Sequence, residues 1–142
     1  MAAEDQRGCG VDSGGSPRPS RRLSRLLHTH ATKVEAVRNA ELAYHGVVLT
    51  ESLRHGGKVR RASSRRITEA FAALTDAVVD LQGSHAAVLS LAEDEGIPSE
   101  AVGSLDEGFE SANREYAGYL AARTYDQVHE VARRGPLRDR SS

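Results

Sequence analysis

Between Ile67 and Ala92 the apolar positions fall at Ile67, Phe71, Leu74, Val78, Leu81, Val88 and Ala92, with His85 in the remaining slot. Steps alternating between four and three describe a helix seam that packs along other helices. A strand would turn half of these side chains into water. A second stripe runs through Leu23, Leu27, His30, Val34, Val37, Ala40, Tyr44 and Val47, and a third through Leu105, Phe109, Ala112, Tyr116, Leu120, Thr124, Val128 and Val131. The pattern predicts three helices, over residues 21–54, 64–93 and 104–133.

Local signals support these boundaries. Ser20 stands where an N-cap belongs, as does Ser63 or Ser64 for the second helix. Ser104 and Glu107 have the spacing of a capping box for the third. Gly56-Gly57, Gly96 and Gly135-Pro136 provide stops, and Gly46 is a candidate kink. At 1.5 Å per residue, helices of this length are roughly 45–50 Å long. Similar lengths and short connections point to an all-α, up-down-up three-helix bundle with coiled-coil-like packing. A long helical hairpin completed by dimerisation is the alternative. Residues 1–19, rich in Gly, Pro and small polar residues, read as a disordered N-terminal tail. Residues 20–134 form the bundle and 135–142 a polar C-terminal tail.

Composition changes this picture little. The chain has 142 residues, six aromatic residues that are all Phe or Tyr, and a net charge of −1. No global field therefore argues for nucleic acid or membrane. The single cysteine, Cys9, excludes an internal disulfide. No run of 18 apolar residues exists to span a bilayer, and no secretory leader is evident. A cytoplasmic location is expected.

The distribution of charge is more informative than its sum. Between the first two helices stand Arg54, Lys58, Arg60, Arg61, Arg65 and Arg66 without an acid. Between the second and third stand Glu93, Asp94, Glu95, Glu100, Asp106, Glu107 and Glu110 without a base. The bundle would place these connections at opposite ends and bring Arg133 and Arg134 to the basic one. Lys58, Arg60, Arg61, Arg65, Arg66, Arg133 and Arg134 are thus the candidate contacts for an anionic partner. No aromatic residue interleaves with them to stack on bases.

Candidate chemistry is sparse. Glu41 with His45, and Asp126 with His129, share helix faces, but the Glu-x-x-His motifs of carboxylate-bridged metal bundles are lacking. No metal, cofactor or catalytic group is expected. His30-Ala31-Thr32-Lys33 has the His-x-x-Lys spacing of histidine phosphotransfer domains, yet Val34 replaces the glycine of that motif and His30 occupies a seam position. His30 and His85 belong to facing seams and would share a layer. They form a candidate pH-sensitive core pair, because two protonated imidazoles repel. Arg60-Arg61-Ala62-Ser63 matches a basic-residue kinase pattern but is equally a helix start. The function expected is that of a non-enzymatic helical interaction protein, an adaptor or assembly subunit, with a protein partner or a second copy. A nucleic-acid-binding accessory role through the basic end is the alternative.

Overall fold

The computed structural model describes residues 18–54 and 61–134, the side chains of 61–64 excepted. Residues 1–17 of the expected 1–19 tail, the expected 135–142 tail, the Gly56-Gly57 and Gly135-Pro136 stops, and Lys58 and Arg60 lie outside the described residues. The described chain is all-α and has no strand. Two long helices, α1 (Arg21–Arg54) and α2 (Arg61–Asp94), are followed by four short ones: α3 (Ser99–Leu105), α4 (Glu107–Glu115), α5 (Ala117–Ala121) and α6 (Tyr125–Arg134).

Helix α1 begins as its sequence demands. The hydroxyl of Ser20 accepts the Leu23 backbone N–H at 3.0 Å, filling one of the donors that a helix start leaves open. The same hydroxyl donates to Glu95 Oε2 at 2.5 Å, joining the start of α1 to the end of α2. Helix α1 then runs through Gly46 without interruption. Helix α2 starts at Arg61, so Ser63 and Ser64 lie within it rather than capping it. Its end is a Schellman motif. Gly96 takes a φ of 80°, the Ile97 N–H reaches Ala92 O at 2.8 Å, and the Gly96 N–H reaches Glu93 O at 3.0 Å. Ile97, nearly fully buried, packs in the cluster that holds Ala92.

Helices α1 and α2 run antiparallel. Contacts between them move back along α2 as they advance along α1, from Ser20–Glu95 through His30–Ser84 to Glu51–Arg66. The chain after Gly96 returns along this pair. Phe109 lies against His30, Tyr119 against Glu41, and Ala132 against His45.

The third layer corrects the expectation of one continuous helix over 104–133. Asp106 is extended, at φ −150° and ψ 106°, and divides α3 from α4. Its side chain accepts the Phe109 N–H at 2.9 Å, so Asp106 is the cap in place of the Ser104–Glu107 box. Tyr116 departs from helical geometry, with φ −110° and ψ 23°, between α4 and α5. Ala122 is extended after α5, and Thr124 Oγ1 accepts the Gln127 N–H to open α6. Gln82 of α2 holds the third break, donating to Tyr119 O at 2.8 Å and Ala122 O at 2.7 Å. Gly118 allows α5 and α6 to approach, since a Cβ there would meet the Val131 methyl groups at 3.1 and 3.2 Å.

Buried side chains form two clusters. One joins Leu23, Leu27, Val88, Leu91, Ala92, Ile97, Val102 and Phe109. The other joins Val37, Tyr44, Leu74, Val78, Leu81, Ala112, Tyr116, Tyr119, Ala122, Val128 and Ala132. The polar layer of His30, Ser84 and His85 falls between them along both long helices.

Candidate functional site

His30 is buried at 2% exposure. Its ring centroid lies 5.9 Å from that of His85 and 5.0 Å from that of Phe109. His85 stacks on Phe109 at 5.6 Å and an interplanar angle of 9°. The two seam histidines therefore meet in one layer, with an aromatic lid from α4. The Ser84 hydroxyl lies 3.0 Å from Leu81 O and 2.8 Å from His30 Nδ1, tying the His30 ring to α2. The other ring nitrogen, Nε2, is buried without a hydrogen-bond partner among the described residues. Desolvation, assisted by repulsion from His85 and opposed by Asp106, pulls the His30 pKa down to about 4. Burial also lowers that of His85. Both imidazoles are neutral at pH 7.

Beside this layer an open groove of about 470 Å³ runs between α1 and the α3–α4 joint, lined by Ser24, Leu27, His28, His30, Ala31, Val34, Leu105, Asp106, Phe109 and Ala112 among others. Leu105 and Asp106 of the α3–α4 joint form part of its wall.

Two carboxylates are buried that the apolar pattern does not reveal. Glu41, 2% exposed, accepts the Tyr119 hydroxyl at 2.6 Å. Glu51, also 2% exposed, accepts from Arg54 at 3.5 Å and Arg66 at 3.2 Å. Both stand in register with Val37, Tyr44 and Val48 at spacings of four and three, and that register is the signal that finds them. The carboxylates and histidines do not converge on a metal: among the described residues no group of three or more His, Cys, Asp or Glu side chains could hold one. His45 instead bonds Ala132 O at 2.8 Å, fastening the end of α6 to α1.

The last turn of α6, which carries Arg133 and Arg134, lies against His45, nine residues before α1 ends at Arg54. Arg65, Arg66, Arg133 and Arg134 are exposed. Arg61 opens α2. Carboxylates answer much of this charge. Glu51 takes Arg54 and Arg66, while Glu130 takes Arg133 at 2.6 Å and Arg134 at 3.8 Å.

The outer face of α1 is different. Leu42 and Leu49 are each 60% exposed and Leu53 is 72% exposed. Gly46 lies between them with nothing within 4 Å of a Cβ built there. None of the exposed positions of α1 from 36 to 53 is Asp, Glu, Lys or Arg. A solvated helix face ordinarily carries charge, and this one carries an apolar stripe. None of the described helices is long and apolar enough to cross a membrane.

With this geometry in view, comparisons with known proteins offer no relative: no family model, no curated protein and no solved structure matches the chain.

Proposed function

We propose that this chain is a non-enzymatic helical interaction protein, an assembly subunit or adaptor, built as an up-down-up bundle whose third member is segmented. The exposed, uncharged stripe of Leu42, Leu49 and Leu53 on α1 carries this reading. A stripe at spacings of seven and four residues is the surface an α-helix presents to another helix. The occupant it fits best is a second copy of the chain. Gly46 lies midway between Leu42 and Leu49, so two antiparallel α1 helices crossing at Gly46 would set Leu42 of each copy against Leu49 of the other. Such a self-complementary patch closes a two-fold dimer.

Light scattering across a concentration series tests it. The wild type is expected to dimerise. Leu49→Glu is expected to remain monomeric and folded, with an unchanged helical circular-dichroism spectrum, because Leu49 contributes little to the monomer core, and its unfolding temperature should no longer depend on protein concentration. A wild type that stays monomeric at all concentrations overturns the homodimer. The alternative, a nucleic-acid accessory role through Arg65, Arg66, Arg133 and Arg134, is weakened by Glu51 and Glu130. Binding to random duplex that falls steeply with salt would restore it.

A further inference from the structure

The His30 ring is enclosed by three elements. It belongs to α1, Ser84 and His85 approach it from α2, and Phe109 closes on it from α4. His85 stacks on the same Phe109 ring, so one side chain of α4 touches both imidazoles. Whatever the tautomer of the neutral ring, an imidazolium carries a hydrogen on both nitrogens and needs two acceptors. Ser84 can serve Nδ1 at 2.8 Å, but Nε2 is buried without a partner among the described residues. A charge on His85 would stand 5.9 Å away between ring centroids. The titratable groups acting on the His30 ring are His85 from α2, which repels a proton, and Asp106 from the α3–α4 joint, which attracts one. His28, on the ring's own helix, is exposed. The closed layer therefore holds the cation poorly, and charging it calls for water at the ring.

The easiest way to admit water is to lift α3 and α4. Helices α1 and α2 are joined along their length, from Ser20–Glu95 to Glu51–Arg66. Helices α3 and α4 have only seven and nine residues, too few to persist alone. Gly96, at a φ of 80°, and the non-helical Tyr116 bound this segment. We propose that His30 and His85 form an acid-sensitive latch: their protonation releases α3–α4 from an α1–α2 hairpin that stays closed, and uncovers Leu23, Leu27 and Val88. These three side chains share a cluster with Val102 and Phe109 of the released segment. Asp106 would favour a cation in place, but its carboxylate caps α4 at 2.9 Å and leaves with that helix. The latch is separate from the stripe at Leu42–Leu53, which occupies the other half of α1.

Hydrogen exchange of the full-length protein at pH 7, 6 and 5, scaled by the intrinsic exchange rates, tests the proposal. Opening returns the His30 pKa from about 4 to 6.5, so the opening constant of amides 99–115 is expected to be about twentyfold larger at pH 5 than at pH 7, with His85 adding to it. At pH 5, amides 37–44 of α1 and 74–81 of α2 should remain at least about tenfold more protected than those of α3–α4. Amides 125–134 of α6, which packs on the other cluster, should open equally at all three pH values. The double variant His30→Phe, His85→Leu should lose the pH dependence over residues 99–115. The wild type also decides alone, since its opening must follow the titration of the His30 and His85 ring resonances. Three results would each overturn the proposal: a wild-type change below about threefold, one opening constant shared by α1, α2 and α3–α4 at pH 5, or an undiminished pH dependence in the folded double variant.

Discussion

His30 is a base buried away from its ordinary titration range. Its folded pKa, about 4, lies below the 6.5 of an unperturbed imidazole, so the unfolded chain takes up the proton first. The stability this contributes is complete above pH 6.5 and is lost as pH falls from there toward 4. Urea unfolding at pH 7 and pH 5 should differ by about 2 kcal/mol from His30 alone, and His85 adds in the same direction. His30→Phe should shrink the difference, and an identical midpoint at both pH values in wild type and His85→Leu would exclude the coupling. Both histidines were legible because each interrupts an apolar seam at a seam position. Glu41 and Glu51 were harder to see. An apolar reading takes Ala40 and Val47 as the inward positions, whereas Val37, Glu41, Tyr44 and Glu51 are the fully buried ones, with Val48 half-buried against the core between them. Tyr119→Phe removes a hydroxyl that donates to a buried carboxylate, and a loss of about 1.5–3 kcal/mol in urea unfolding is expected.

The long helices follow their sequences closely and the third layer does not. The seam from Ile67 to Ala92 faces inward, with Leu74, Val78, Leu81, Val88 and Ala92 buried and Ile67, Phe71 and His85 half-buried. The stops between α3, α4 and α5 escape a periodicity argument because Asp106 and Tyr116 each take only one residue out of the helix. The inward spacing of Leu105, Phe109, Ala112 and Tyr116 therefore survives. At the third break the expected seam is interrupted: Thr124 is exposed and Ala122 is buried in its place, while Val128 stays buried as the pattern requires. Asp106→Ala should cost about 0.5–2 kcal/mol through loss of the α4 cap. Gln82→Ala should loosen the α5–α6 joint, seen as faster amide exchange over residues 119–128 with α1 unaffected.

Among the described residues, Glu93, Asp94 and Glu95 lie where α2 ends beside the start of α1, and Arg54, Arg65 and Arg66 lie where α1 ends and α2 begins. The ends differ in how charge is met. Ser20 bonds Glu95 at one, while Glu51 and Glu130 hold arginines at the other. Most of these ion pairs are exposed and each contributes on the order of 0–1 kcal/mol, so raising salt should shift the thermal midpoint only slightly; a large shift would mean that charge organises the molecule. The outward stripe of α1 was present in the sequence but lacked a sign of its exposure, because only the packing of Glu41, Tyr44 and Val48 decides which side of α1 is left over.

Division of the returning chain into pieces of 5 to 10 residues also sets an order of assembly. Helices this short do not persist alone in water. The first two helices are therefore the template on which the others condense, and the returning layer should be the first to fray. Under native conditions, amides of α1 and α2 should report the global unfolding free energy, with those of α3–α6 opening at lower cost.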